Sequence, residues 1–208
     1  MKHIPKLDTL FQEVFIQFKK FQQEQLESTN DSNTAKLLKI FDAEVQQDDP
    51  DANFINYDVF TFLILLDPSL YIMLNDQKIA QNEKTRLTHN QIVDYLFQHT
   101  PKTVIVERHV TQYLVWRMSN LLNDFASDIL NSIHTVTSNH LNEITFDEVL
   151  AFTNTMIRAD GIADESETNA YFYIKKYLTK DISFSELKEY LLKFPHKLED
   201  CTIEELPA

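Results

Sequence analysis

The chain has 208 residues, 43% of them apolar and 12% aromatic, with a formal net charge of −13 from 32 acidic and 19 basic side chains. That is ample apolar material for one packed domain and excludes a disordered chain, while the acidic excess excludes nonspecific nucleic-acid binding because phosphates would be repelled. A single glycine, where average usage gives roughly 15, excludes a large sheet protein and the glycine-rich loops of common nucleotide binders, which need residues at positive φ.

The class expected is all-α, a single bundle of about eight or nine helices. Apolar residues recur at helical spacing through Leu7, Leu10, Phe11, Val14, Phe15, Phe18 and Phe21, predicting an amphipathic helix over about 7–26. Core packing accounts for this aromatic stripe; left exposed, it would serve a protein partner or a homo-oligomer. The polar run 27–33 ends the helix, and a second is predicted over about 34–45 on Leu37, Leu38 and Phe41. The polar, proline-bearing stretch 46–53 marks the boundary between an N-terminal helical extension, 1–50, and a main body, 51–195.

The body opens with an apolar helix over 57–66, which Asp67-Pro68 is expected to interrupt or restart before a further helix to about 74. The longest apolar run, 59–66, falls far short of the ~20 residues of a membrane span, so no membrane partner is expected. The first eight residues lack the apolar core of a signal peptide. The lone Cys201 fits a reducing compartment, and the cytoplasm is the expected location. A helix around 83–87 follows, and Thr88 with Gln91 reads as a capping box for another through Phe97. Pro101 opens the next segment. The apolar positions from Val110 through Tyr113, Leu121, Phe125 and Ile129 to Ile133 describe the longest helix. Three capping boxes come next: Thr145 with Glu148, Asp164 with Glu167, and Ser183 with Glu186, opening helices to about 159, 178 and 194. Pro195 stops the last, and the acidic tail 196–208 is expected to be loosely held.

The sharpest motif joins two of these helices. Gly161 is placed to close the first in a left-handed conformation, while Asp164 and Glu167 cap the second, toward whose positive end Asp160 and Glu167 converge. Capping alone accounts for all three acids. An EF-hand is excluded: with Gly161 at loop position six, Met156 and Arg158 fall at positions one and three, where carboxylates are required.

Ala159-Asp160-Gly161, with apolar Ala163 two places after the glycine and then Glu167, resembles the TerB-like family of small bacterial helical bundles named for tellurite resistance. A second segment, from Asp76 through Ile79 to Glu83, repeats the frame with Gln77 in place of the glycine, and Thr61-Phe62 and Thr145-Phe146 align at the same offset. The resemblance covers about 57–194. It implies a stress-associated module holding a divalent cation (calcium, magnesium, manganese or zinc) at Asp160 and Glu167, with Asp164, Asp76 and Glu83 as further candidate ligands.

No His-Glu-x-x-His, Glu-x-x-His or Gly-x-Ser-x-Gly pattern occurs, so no zinc-protease, di-iron or hydrolase constellation is expected. His3, His89, His99, His109, His134, His140 and His196 are expected at surface or capping positions, and His196 with Cys201 offers too few ligands for zinc. The sequence therefore reads as a helical binding or regulatory module rather than an enzyme. The alternative is an acidic inhibitor or immunity-type protein that neutralises a basic protein partner.

Overall fold

A computed structural model describes residues 3–28, 31–47, 55–75, 78–79, 81–88, 90–99, 104–159, 161, 164–194 and 198–203. The described residues form an all-α bundle of ten helices. Pro101, Pro195, His89, His196 and most of the 46–53 loop lie outside them.

Helix α1 (Pro5–Glu27) starts on a proline, whose missing N–H is harmless in the first turn. Its Leu7, Leu10, Val14, Phe18 and Phe21 are buried, with Phe11 and Phe15 half-buried against the same core. The aromatic stripe thus faces inward, Phe18 against Tyr113 and Trp116, and Phe11 against Tyr57 and Phe60. A buried hydrogen bond from Gln22 to Gln112 ties α1 to the body.

Helix α2 (Asn33–Ile40), capped by Ser32, ends five residues before the expected stop at 45. Asp42 turns left-handed (φ 54), so that Ala43 N–H reaches the Leu38 carbonyl and closes the helix. The same closure recurs with His140 (φ 49) and Lys180 (φ 66).

Helix α3 (Tyr57–Asn75) runs straight through Asp67-Pro68, correcting the expected interruption. Every residue of it except Asp58 is buried, making it the central element of the bundle, against which seven of the other nine described helices pack. Continuity also overturns the reading that no segment is long enough for a membrane: at 19 residues, α3 is long and apolar enough to cross one. Its apolar surface is covered by the rest of the fold.

The residue before the proline carries a buried charge pair. Asp67 takes a two-pronged ion pair from Arg117, Nε to Oδ1 at 2.7 Å and Nη2 to Oδ2 at 3.1 Å, with the two side chains 1% and 0% exposed. Burial works against the guanidinium charge, but Asp67, with Tyr71 and Tyr113 adding to it, prevails and holds the Arg117 pKa above its ordinary value.

Short α4 (Gln81–Thr88) precedes α5 (Gln91–His99). The expected Thr88–Gln91 box is not used. Thr88 closes α4, and Asn90 caps α5, its Oδ1 accepting from Ile92 and Val93 N–H at 2.8 and 3.1 Å.

The expected long helix through 110–133 is two, α6 (Val104–Ser119) and α7 (Ala126–Ser138). Arg117 explains the break. Its guanidinium donates to the carbonyls of Asn120 (3.0 Å) and Leu121 (3.4 Å), and Tyr71 hydroxyl also donates to Leu121, drawing these groups out of a helical ladder.

Helix α8 (Phe146–Thr155) passes into a 3-10 turn over Met156–Arg158 and is followed by α9 (Glu165–Leu178) and α10 (Phe184–Leu191). All three expected capping boxes are formed, on Thr145, Asp164 and Ser183. Thr61, which aligns with Thr145 in sequence, instead lies inside α3 and donates to the Asp58 carbonyl.

The described part of the tail is docked, not loose. After a 3-10 turn over Leu198–Asp200, β2 (Thr202–Ile203) pairs in parallel with β1 (Lys78–Ile79). Glu199 accepts from the Asn33 and Thr34 N–H groups at 3.0 and 3.1 Å, capping α2, which has no acid in its own first turn. Asn33 in turn donates to the Leu198 and Cys201 carbonyls. Cys201 is buried, its thiol donating to the Leu74 carbonyl at 3.9 Å.

Candidate functional site

The acidic turn takes its shape from Gly161, whose φ of +94° is a conformation L side chains rarely adopt. Its N–H donates to the Arg158 carbonyl at 3.1 Å. Asp164 is exposed and committed to capping: Oδ1 accepts from Ser166 N–H at 2.6 Å and from the Ser166 hydroxyl. Those hydrogen bonds, the hydroxyl's foremost, hold its carboxyl below the usual range. Glu167 completes the box by accepting from Asp164 N–H at 3.4 Å.

Of the other candidate ligands, Asp160 and Asp76 lie outside the described residues, as does Ala163. Glu83 and Glu167 are both buried, 2% and 3% exposed. Their helices keep one register: α4 and α9 begin 84 residues apart, as do Asp76 and Asp160, and each glutamate is the third residue of its helix. Both helices pack on the 3-10 turn 156–158. Among the described residues, no three His, Cys, Asp or Glu side chains gather as a metal would require.

The histidines divide by burial. His109 is enclosed within α6, contrary to the surface or capping position expected, because α6 packs on α1, α2 and α3. His134 does cap a helix, though not its own: Nε2 donates to the Leu178 carbonyl at the end of α9 (2.6 Å), and the ring stacks on Phe146.

Sequence reading missed a groove of about 610 Å³ between α4, α5, α8 and the end of the 3-10 turn. Ile92, Ile144, Ala151, Phe152 and Ala159 supply its apolar surface, and Arg86 stands at its edge. Gln91, expected to serve a cap, spans from α5 to α8 by donating to Glu148 at 3.0 Å. Glu148 also accepts from Thr145 N–H and hydroxyl (2.8 and 2.7 Å); these bonds, the backbone one first, lower its pKa. A second cavity of about 530 Å³ shares Arg86 and Thr155 with the first and adds Asn154, Arg158 and Thr168. The only sequence signal for the groove was the repeated frame, since α4 follows the first copy and the 3-10 turn leads into the second.

Compared with known proteins, the chain matches no family model, no curated protein and no solved structure.

Proposed function

We propose that this chain is a cytoplasmic, non-catalytic binding module of regulatory type, with the groove beside α4, α5 and α8 as its working surface. One observation carries the reading: segments adjoining both copies of the repeated frame wall the same cavity, Thr85 and Arg86 just after the first copy and Ala159 at the start of the second. A concave site of this volume, apolar within and polar at its edge, is the usual form of a small-molecule pocket. The TerB-like resemblance belongs to the same proposal, as does a divalent cation near Asp160 and Glu167. Glu83 and Glu167 support the cation, since two buried carboxylates on helices packed against one turn concentrate negative charge there. Such a cation acts on structure, bracing the turn that leads from the groove wall.

The groove is tested by ligand-observed NMR with a small-fragment library. Ala151 is exposed on α8 and lines the cavity, so Ala151→Trp fills it without entering the core. Fragments that bind the native chain are expected to be lost in this variant; hits indifferent to it, or no hits, overturn the reading. For the cation, calcium, magnesium, manganese and zinc are added separately while thermal unfolding is followed. At least one is expected to raise the Tm of the native chain but not of Glu167→Gln, and no rise with any of the four removes the cation from the proposal.

A further inference from the structure

The groove is chemically lopsided. Toward α5 it ends at Glu148, which is held by Thr145 and Gln91 and carries negative charge. Toward α4 it reaches Arg86, which it shares with the second cavity, where Arg158 of the 3-10 turn also stands. Neither guanidinium makes an ion pair or hydrogen bond among the described residues, although the chain carries 13 more acids than bases. The hydroxyls beside them are already committed, Thr155 donating to the Phe152 carbonyl at 2.7 Å and Thr168 to that of Asp164 at 3.0 Å. That leaves two cationic groups that only donate, lining one cavity, a chemistry suited to an oxyanion.

We infer that the site takes an amphiphilic oxyanion, its apolar body over Ile92, Ile144 and Phe152 and its carboxylate or phosphate head between Arg86 and Arg158. The inference rests on the reading of the groove as the ligand site. Shared walls at Arg86 and Thr155 let one molecule occupy both cavities. Glu148 sets its direction, because an anionic head at that end would face a carboxylate.

Calorimetric titration of the full chain with octanoate, octyl phosphate and the neutral octyl glucoside, each below its micellar concentration, tests this. Both anions are expected to bind, with octyl glucoside at least tenfold weaker. Arg86→Gln/Arg158→Gln, both at exposed positions, is expected to weaken the anions at least tenfold and leave the glucoside unchanged, with an unaltered melting curve confirming the fold. The stronger of the two anions identifies the head. Equal affinity for all three probes, anion affinity unchanged in the arginine variant, or no anion binding overturns the inference. If the anions bind regardless of the arginines and Ala151→Trp abolishes that binding, the groove reading survives alone; anion binding indifferent to Ala151→Trp defeats both.

Discussion

Asp42, His140 and Lys180 hold a backbone conformation that most helix ends give to glycine. Each closes its helix with the same two hydrogen bonds, as at Lys180, where its own N–H meets the Tyr177 carbonyl and that of Asp181 meets Lys176. A side chain in this region costs roughly 1–2 kcal/mol, partly offset because glycine loses more entropy on folding. His140→Gly and Lys180→Gly are therefore expected to stabilise the chain by about 0.5–1 kcal/mol each in urea unfolding; a loss of stability in both would show that their side chains contribute more than they strain. Gly161→Ala runs the other way. Nothing lies within 4 Å of an added Cβ, so the loss, about 1 kcal/mol, is torsional alone. The sequence announced Gly161 because glycine advertises a positive φ. It was silent on the other three, since aspartate, histidine and lysine carry no such mark.

Two helices depart from their local pattern. Proline at 68 argues for a break in α3, and the even apolar spacing from Val110 to Ile133 argues against one between α6 and α7. Arg117 accounts for the second, through carbonyls just beyond its own helix, and also pairs with Asp67, a carboxylate 50 residues away beside the proline. Local pattern cannot reveal such a contact. Arg117→Met, which leaves Asp67 buried without its cation, is expected to destabilise by about 3–5 kcal/mol, and adding Asp67→Leu to recover most of that. A double variant no more stable than the single one would mean that the pair is needed for packing and not only for mutual neutralisation. Three of the four expected capping boxes, on Thr145, Asp164 and Ser183, were legible because their chemistry lies within four residues. Their acids Glu148, Asp164 and Glu186 all have lowered pKa values through hydrogen bonds to the charged form. The unfolded chain therefore takes up these protons at higher pH than the native one. Their contribution is complete above the unfolded carboxylate value of about 4 and disappears as pH falls through the lower native values. Urea midpoints between pH 7 and 3 should fall less steeply in Glu148→Gln/Asp164→Asn/Glu186→Gln, and an unchanged slope would assign the acid sensitivity elsewhere.

At the scale of the molecule, composition was enough for the class: one glycine and dense apolar spacing left little but helices. The groove was beyond reach because its walls come from four separate elements, and Arg86 and Arg158 become neighbours only once α4 meets the 3-10 turn. The docked tail was equally hidden. Glu199→Ala removes the acceptor from the start of α2 and is expected to cost about 1 kcal/mol, the usual value of a cap; an effect near zero would leave the strand pair and Leu198 as what holds the tail. That cap also sets an order of events during synthesis. Asn33 leaves the ribosome 166 residues before the glutamate that satisfies its N–H, so until then α2 has only the local Ser32 cap on Ala35 N–H. A ribosome that stalls short of residue 199 therefore releases a product in which the Asn33 and Thr34 N–H groups at the start of α2 lack their carboxylate.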